Sequence, residues 1–413
     1  MYRGRLPQQV RSVAAASTST PTAPPISYNH DGLAHGSVVP AVNKVHEILA
    51  RNTVPTNPWN GALSQVEYEF PSFLGKIVDN VLYFDVTLST SDAGGGTVQL
   101  APTTQFFERI EILYNSQVVE TVERDEIHTE TVGFTTDQEL ALIRNSINVS
   151  STGGLTTAFA TSQAGIRHVF YLPLWCTTLA TIQPFIRGFK DAWRVRVTFA
   201  TSIVASSTGD DYAVRLNQMK LYSTEANMSP GAISALEAAH FAGISYRTII
   251  RNKFTKNFPS ISNTSQTNEI MTTFSSDSAG LVVYIKPDTQ AVSSCLTKDP
   301  LDTLELHDSA NSQLTITLPA GLIEAFIMPT QVPLNSSVTL NGSNSIYLFP
   351  FVPNLMKVIE KAEVSGGLAL SSQERLVFKP LYNLSTPRKL SVISYEYAVV
   401  EVKGKAARIR RSA

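Results

Sequence analysis

Along much of this chain hydrophobic and polar residues alternate with a period of two. In VLYFDVTL the residues Leu82, Phe84, Val86 and Leu88 share one face, and in WRVRVTF Trp193, Val195, Val197 and Phe199 alternate with Arg194, Arg196 and Thr198. QLTITL (313–318) and ISYEYAVV (393–400) repeat the pattern, and clusters such as DAGGGT and LNGSNS punctuate it. Such alternation marks half-buried strands bounded by turns. Many strands with few helices predict an all-β chain built of two-sheet sandwiches.

Two segments depart from the period of two. In PAVNKVHEILAR (40–51) the residues Ala41, Val42, Val45, Ile48 and Leu49 recur at helical spacing behind Pro40, which predicts a short amphipathic helix. SPGAISALEAAHFAG (229–243) carries Ser229 as N-cap, Pro230 at the first helical position and Gly243 past the end. Strand-rich sequence flanks this second helix on both sides, so two β-domains joined by a helix are expected. The expected divisions are a flexible arm over 1–28, a first domain over 29–228, the linker helix over 229–243, a second domain over 244–403 and a basic tail over 404–413.

FFERIEILYNSQVVETV (106–122) reads as a hairpin around Asn115-Ser116. A two-residue turn sets Glu111 against Glu120, which like-charge repulsion disfavours. A three-residue turn pairing Tyr114 with Val118 and Ile110 with Val122 is therefore expected. Downstream, Thr136 and Glu139 have the form of a capping box opening a helix with Leu140, Leu142 and Ile143.

Composition narrows the possibilities. The 413 residues are 43% hydrophobic, with two cysteines, and suffice for two or three domains at roughly 150 residues each. Charged residues make up only 16%, and the formal net charge is −1, so no global field draws the chain to nucleic acid or membrane. Cys176 and Cys295 cannot build a disulfide framework. No apolar run approaches the ~18–20 residues of a membrane span, and a soluble protein made without a signal peptide is expected.

One window concentrates groups capable of chemistry: ERDEIHTE, with Glu123, Asp125, Glu126, His128 and Glu130. A zinc or di-metal site needs ligands converging from elsewhere, and the other histidines (His30, His35, His46, His168, His240, His307) form no HxxxH or HxxE pair. The window is expected to be a solvated connector between hairpin and helix, with no catalytic residue, cofactor or metal. Cys176 lacks a thiolate-activating pattern and reads as a buried thiol. DAGGGT lacks the Lys-Ser/Thr of a phosphate loop, and the sequons at Asn148, Asn335 and Asn383 are at the level of chance in a Ser/Asn-rich chain.

The two ends are basic. Arg3, Arg5 and Arg11 precede a Ser/Thr/Pro/Ala tract, and Lys403, Lys405, Arg408, Arg410 and Arg411 crowd the C-terminus. Neither end offers a periodic apolar face, so neither is expected to fold alone. Both are candidate contacts for an anionic surface.

Several segments together resemble the double jelly-roll major capsid proteins of the lineage that includes nucleocytoplasmic large DNA viruses, virophages and polinton-like viruses. IEILYNSQVVETVERDEIHTE is similar to that family's VELxIGGQxID pair and acidic connector, with Asn115-Ser116-Gln117 where the family has Gly-Gly-Gln. FYLPLWCTTLATIQPFIRGFKDAWRVRVTF (170–199) resembles LPLPFWF…ALPLIALQYHEVKINF in order and spacing. LNQMKLYSTEA stands before the linker, NSIYLFPFVPN (344–354) resembles INVYSFALKPE, and LSVISYEYAVVEVKGKA resembles LRVYATNYNVLRIMSG. The resemblance spans roughly residues 60–405, and VSGGLALSSQERLVF departs from the family's PSGTCNFSRID.

The resemblance implies two tandem eight-stranded jelly rolls with short connecting helices. It implies homotrimers that form pseudo-hexagonal capsomers of an icosahedral virion shell and meet neighbouring capsomers, penton and minor capsid proteins. Segments 147–165 and 331–345 then become outward loops. The termini lie inside, near an internal membrane or viral DNA. A minor capsid or spike protein with a glycan-binding β-sandwich is the alternative, and a β-sandwich glycosidase a more distant one, because no pair of carboxylates stands out.

Overall fold

The computed structural model describes residues 43–411 apart from 175, 209–210, 263–267, 275, 290–295, 309–314, 324–326, 333–344, 362–365 and 371–373. The expected arm over 1–28, most of 331–345 and Cys295 lie outside the described residues.

Eight strands wind through the first half: β1 (Lys44–Ile48), β2 (Gln65–Glu69), β3 (Ile77–Thr90), β4 (Phe107–Tyr114), β5 (Gln117–Glu123), β6 (Ile166–Pro173), β7 (Trp193–Phe199) and β8 (Tyr212–Glu225). They form two antiparallel sheets, ordered β1-β8-β3-β6 and β2-β7-β4-β5. The second half supplies β9 (Ile244–Phe258), β10 (Asn268–Met271), β11 (Asp277–Pro287), β12 (Leu301–Asp308), β13 (Thr315–Pro319), β14 (Tyr347–Pro350), β15 (Glu374–Pro380) and β16 (Arg388–Lys403). Their order is β9-β16-β11-β14 and β10-β15-β12-β13, so strand for strand the winding is that of the first half. Two four-stranded sheets wound in this way make a jelly roll, and the chain holds two of them, as the family resemblance implies.

The period of two does what it should. Leu82, Phe84, Val86 and Leu88 are sealed from solvent, as are Trp193, Val195, Val197 and Phe199. Between the latter, Arg194 and Arg196 point to the other face and donate to Glu69 at 2.8 Å and Glu67 at 2.7 Å. One apolar cluster is built largely from residues 48–221, and a second largely from 249–397. The linker helix Pro230–Ala242 begins where Ser229 Oγ accepts from the Ala232 amide at 3.2 Å. It packs Ala232 and Leu236 against Phe185 and Met228.

At the helix end His240 is fully buried. Its Nδ1 is 2.7 Å from the Leu236 carbonyl and its Nε2 2.9 Å from the Tyr246 hydroxyl. Gly188, in the β6–β7 connection, abuts this ring: a Cβ there would stand 2.5 Å from His240 Cδ2. Gly188→Ala should therefore destabilise the protein by about 1–3 kcal/mol through overpacking. Urea denaturation checks this, with Gly231→Ala, which meets nothing within 4 Å, as the control.

The connections β3–β4, β5–β6 and β7–β8 leave one end of the first jelly roll and add an accessory sheet from Gly96–Leu100, Phe159–Thr161 and Val204–Thr208. The 147–165 excursion is thus partly ordered by pairing. The connections β2–β3 and β6–β7 turn at the opposite end, where the linker helix also starts.

Three local expectations are corrected. Residues 44–48 form a strand, not the middle of a helix over 40–51: β1 pairs with β8 from Lys44 opposite Glu225 to Ile48 opposite Leu221. An isolated helix of about a dozen residues is marginal, whereas the open edge of β8 offers β1 a ladder of backbone hydrogen bonds along one side. Among the described residues of the expected apolar face Ile48 is buried, whereas Val45 and Leu49 remain 65% and 74% exposed.

The hairpin between β4 and β5 turns on two residues rather than three. Asn115 and Ser116 both take left-handed backbone (φ 48° and 63°), as a type I′ turn requires, and Tyr114 pairs with Gln117. A bulge beyond it pairs Leu113 with Val118 and Ile112 with Glu120, which restores the expected Ile110–Val122 pair. Glu111 then faces Thr121, so the bulge removes the carboxylate clash that argued against the short turn.

The basic C-terminal segment is not an unfolded tail. Beyond Gly404-Lys405 it forms β17 (Ala406–Arg411) on the edge of β16, with Arg410 3.1 Å from Glu401 and Arg411 3.3 Å from Glu396. Ala407 and Ile409 pack against the first apolar cluster, and the Ala407 amide donates to the Tyr114 hydroxyl at 3.2 Å. The small apolar face that composition hid is enough once a neighbouring edge supplies the ladder. The N-capped helix Asp137–Ile143 has the predicted capping box between Thr136 and Glu139.

Candidate functional site

Strand β5 ends at Glu123, the helix Arg124–His128 follows, and a wider turn, Thr129–Gly133, continues it. This is the ERDEIHTE window, and it is not solvated: Arg124 through Gly133 are all buried. The second jelly roll covers it. Phe134, just downstream, sits in the second apolar cluster. The charges that make this burial tolerable come from β9, β11 and β16, more than a hundred residues away.

Two ion groups make up the contact. In the first, Lys253 of β9 reaches Glu123 and Glu126 at 2.7 Å each and Asp125 at 3.3 Å. Asp125 also accepts from the Tyr284 hydroxyl at 2.6 Å and lies 3.8 Å from Lys286. Burial pushes the Asp125 carboxyl upward, but Lys253, Lys286 and the Tyr284 hydrogen bond outweigh it and hold the group well below the usual carboxylate range. For Glu126 burial wins and its pKa is raised.

In the second group, Arg251 of β9 pairs with Glu130 and lies 3.6 Å from Glu120. Tyr395 of β16 donates to Glu130 at 2.8 Å. Burial pushes Glu130 up to about 7 despite Arg251 and Tyr395. Glu120 has a further task. It accepts from the amides of Thr177 and Thr178 at 2.9 Å each and from the Thr177 hydroxyl at 2.6 Å, capping the helix Thr177–Ile182. That helix packs along β9, where Thr181 and Thr248 share a hydroxyl hydrogen bond of 2.7 Å.

His128 completes the cluster on the first jelly roll's side, with Nδ1 2.8 Å from Thr104 Oγ1. Burial, helped by Lys298, pulls its pKa down to about 3, so it is neutral. Cys176, buried as expected, has its thiol pushed up by burial and by Glu120; it is no nucleophile in this state.

Among the described residues, Glu123, Asp125 and Glu126 bring one carboxylate oxygen each within 4.8 Å of one another, a spacing a divalent ion can use. The Lys253 ammonium already contacts all three. The arrangement fixes one jelly roll against the other through buried, geometrically demanding contacts.

Of the C-terminal basic residues, Arg410 and Arg411 are paired with acids as described, and Lys405 donates from Nζ to the Arg187 carbonyl at 3.2 Å. Lys403 and Arg408 are exposed. Arg3, Arg5 and Arg11 lie outside the described residues. Sequence reasoning missed Arg251 and Lys253, and a signal existed. They stand two apart in RTIIRNKF, on one face of a strand whose preceding residues are apolar, where cations need buried acidic partners.

No protein-family model matches the sequence, and no curated protein matches it. Solved structures do match in fold. PBCV-1 VP54, fitted into a reconstruction of the virophage Sputnik, superposes with a TM-score of 0.68 at 12% identity, over 90% of this chain and 97% of that one. The Faustovirus major capsid protein gives a TM-score of 0.59 at 8% identity, over 87% and 90% of the two chains. The Sputnik virophage structure gives 0.56 at 10% identity, over 96% and 93%. With the same winding twice over and a match to these structures across most of each chain, the chain has the double jelly-roll fold of viral major capsid proteins.

Proposed function

We propose that this protein is a major capsid protein that trimerises into pseudo-hexagonal capsomers and builds an icosahedral shell. The observation that carries the reading is the repetition of one eight-stranded winding, the two copies joined by buried ion pairs. Three copies of such a pair present six similar barrels in a ring, which is what tiling of hexagonal positions requires. The work is structural: surface is buried between subunits and no covalent bond changes. Val45 and Leu49, exposed on the β1 edge, are suited to a subunit contact.

The accessory sheet end faces outward, and the end carrying the linker helix and the β16–β17 turn faces the particle interior. Lys403, Lys405, Arg408, Arg410 and Arg411, together with Arg3, Arg5 and Arg11, then serve inner-face contacts with neighbouring capsomers, penton or minor capsid proteins, a membrane or viral DNA.

Light scattering of the purified protein should return three times the 45.0 kDa of the chain. Only monomer across a wide concentration range would overturn the trimer. In purified particles this chain should dominate a stained gel; a minor band would favour the spike reading instead.

A further inference from the structure

At the end of the first jelly roll opposite the accessory sheet, four pieces of backbone are tied into one surface. Arg187, in the β6–β7 connection, donates from Nη2 to the Phe73 carbonyl at 2.7 Å, and its Nε lies 3.9 Å from Glu237 of the linker helix. The Gly404 amide donates to the Phe241 carbonyl at 3.0 Å and the Lys405 amide to the His240 carbonyl at 3.2 Å. The Lys190 amide donates to the Lys405 carbonyl at 2.7 Å.

This pinned backbone displays two phenylalanines to solvent, Phe73 at 64% and Phe241 at 70% exposure. Around them stand Lys190 and Lys403, both exposed, and Arg187 and Lys405, both half-buried. The acids nearby are Glu237, beside Arg187, Asp191, which accepts from the Tyr114 hydroxyl at 3.4 Å, and Glu225, which accepts from the Gly75 amide at 2.7 Å and pairs with His46. Cations outnumber acids there, although the chain as a whole is slightly acidic.

We propose that this patch docks on an anionic lipid bilayer. Two solvent-facing aromatic rings beside a cluster of cations is the composition that seats in a headgroup layer: the rings enter the acyl boundary and the cations meet lipid phosphates. Duplex DNA would engage the cations alone and leave the rings in water. A second copy of the same patch would set cations against cations. The proposal rests on the capsid reading only for placing this end inward; the patch chemistry stands apart from it.

The test is flotation of the full-length protein with vesicles of phosphatidylcholine containing about 30% phosphatidylserine, at about 0.1 M salt. The protein should float with these vesicles and not with pure phosphatidylcholine. Phe73→Ser with Phe241→Ser should lower the bound fraction about tenfold, and Lys190→Glu with Lys403→Glu should do the same. All four side chains are exposed, so circular dichroism should be unchanged.

Wild-type protein that stays at the bottom of the gradient overturns the proposal, as does equal flotation of the phenylalanine variant. Tighter binding to a DNA duplex, indifferent to the phenylalanines, overturns it in favour of a nucleic-acid contact. Light scattering on the same sample separates the two readings. Monomers that float retain the patch and sink the capsomer, whereas trimers that do not float do the reverse.

Discussion

Arg251→Ala should lower stability by about 3–5 kcal/mol, the cost of stranding a buried charge after its partner is removed. Arg251 is almost completely enclosed, and it faces two carboxylates that are equally enclosed, Glu130 and Glu120. Neither can turn to water, because Glu120 is held by the first amides of Thr177–Ile182 and Glu130 by Tyr395. A drop in Tm of about 3–6 °C is expected for a chain of this size.

Arg251→Met fills the space without charge and should be nearly as damaging. Adding Glu130→Gln to it should recover part of the loss, since the stranded anion is then gone. The comparison variant is Arg375→Ala, whose pair with Glu269 is exposed on both sides and should be worth at most about 1 kcal/mol. Calorimetry showing the two alanine variants equally mild would mean that the contact between the jelly rolls does not depend on this pair.

What the sequence disclosed and what it hid divide along a physical line. The strands from Leu82 to Leu88 and from Trp193 to Phe199 were legible because alternation is a local property. The linker helix and the capping box at Thr136 were legible because caps are local too. Strand β1 was not: its apolar residues fit a helix as well as a strand, and the decision lay with β8, some 180 residues on. The burial of ERDEIHTE was hidden for the same reason. Nothing local distinguishes solvated carboxylates from ones awaiting Arg251 and Lys253. The fate of 406–411 followed the edge of β16, not its own composition. The bulge after Asn115-Ser116 shows a subtler limit, because the charge argument was sound but the chain met it by inserting a residue, not by lengthening the turn.

The buried acids and histidine also predict a pH dependence in which two groups oppose each other. Glu130 is raised from 4.5 to about 7 in the folded protein, so between those values the folded state keeps a proton that the unfolded chain has released. Its contribution therefore falls as pH rises through that window, by about 3 kcal/mol in all. His128 is lowered from 6.5 to about 3, so below 6.5 the unfolded chain binds a proton that the folded state refuses. Its contribution is present above 6.5 and is lost as pH falls towards 3. Between about pH 4.5 and 6.5 the two slopes are each near 1.4 kcal/mol per pH unit and opposite in sign. Taken by themselves these two nearly cancel; Glu126, raised by burial, acts in the sense of Glu130, and His168 and His240, lowered by burial, act in the sense of His128. Glu130→Gln removes one arm and should make stability fall steeply on acidification through this range. His128→Gln removes the other and should make the protein gain stability relative to its own value at pH 7. Urea midpoints measured at half-unit steps of pH decide the matter. Profiles for both variants that run parallel to the wild type would show that neither group changes protonation on unfolding in this window.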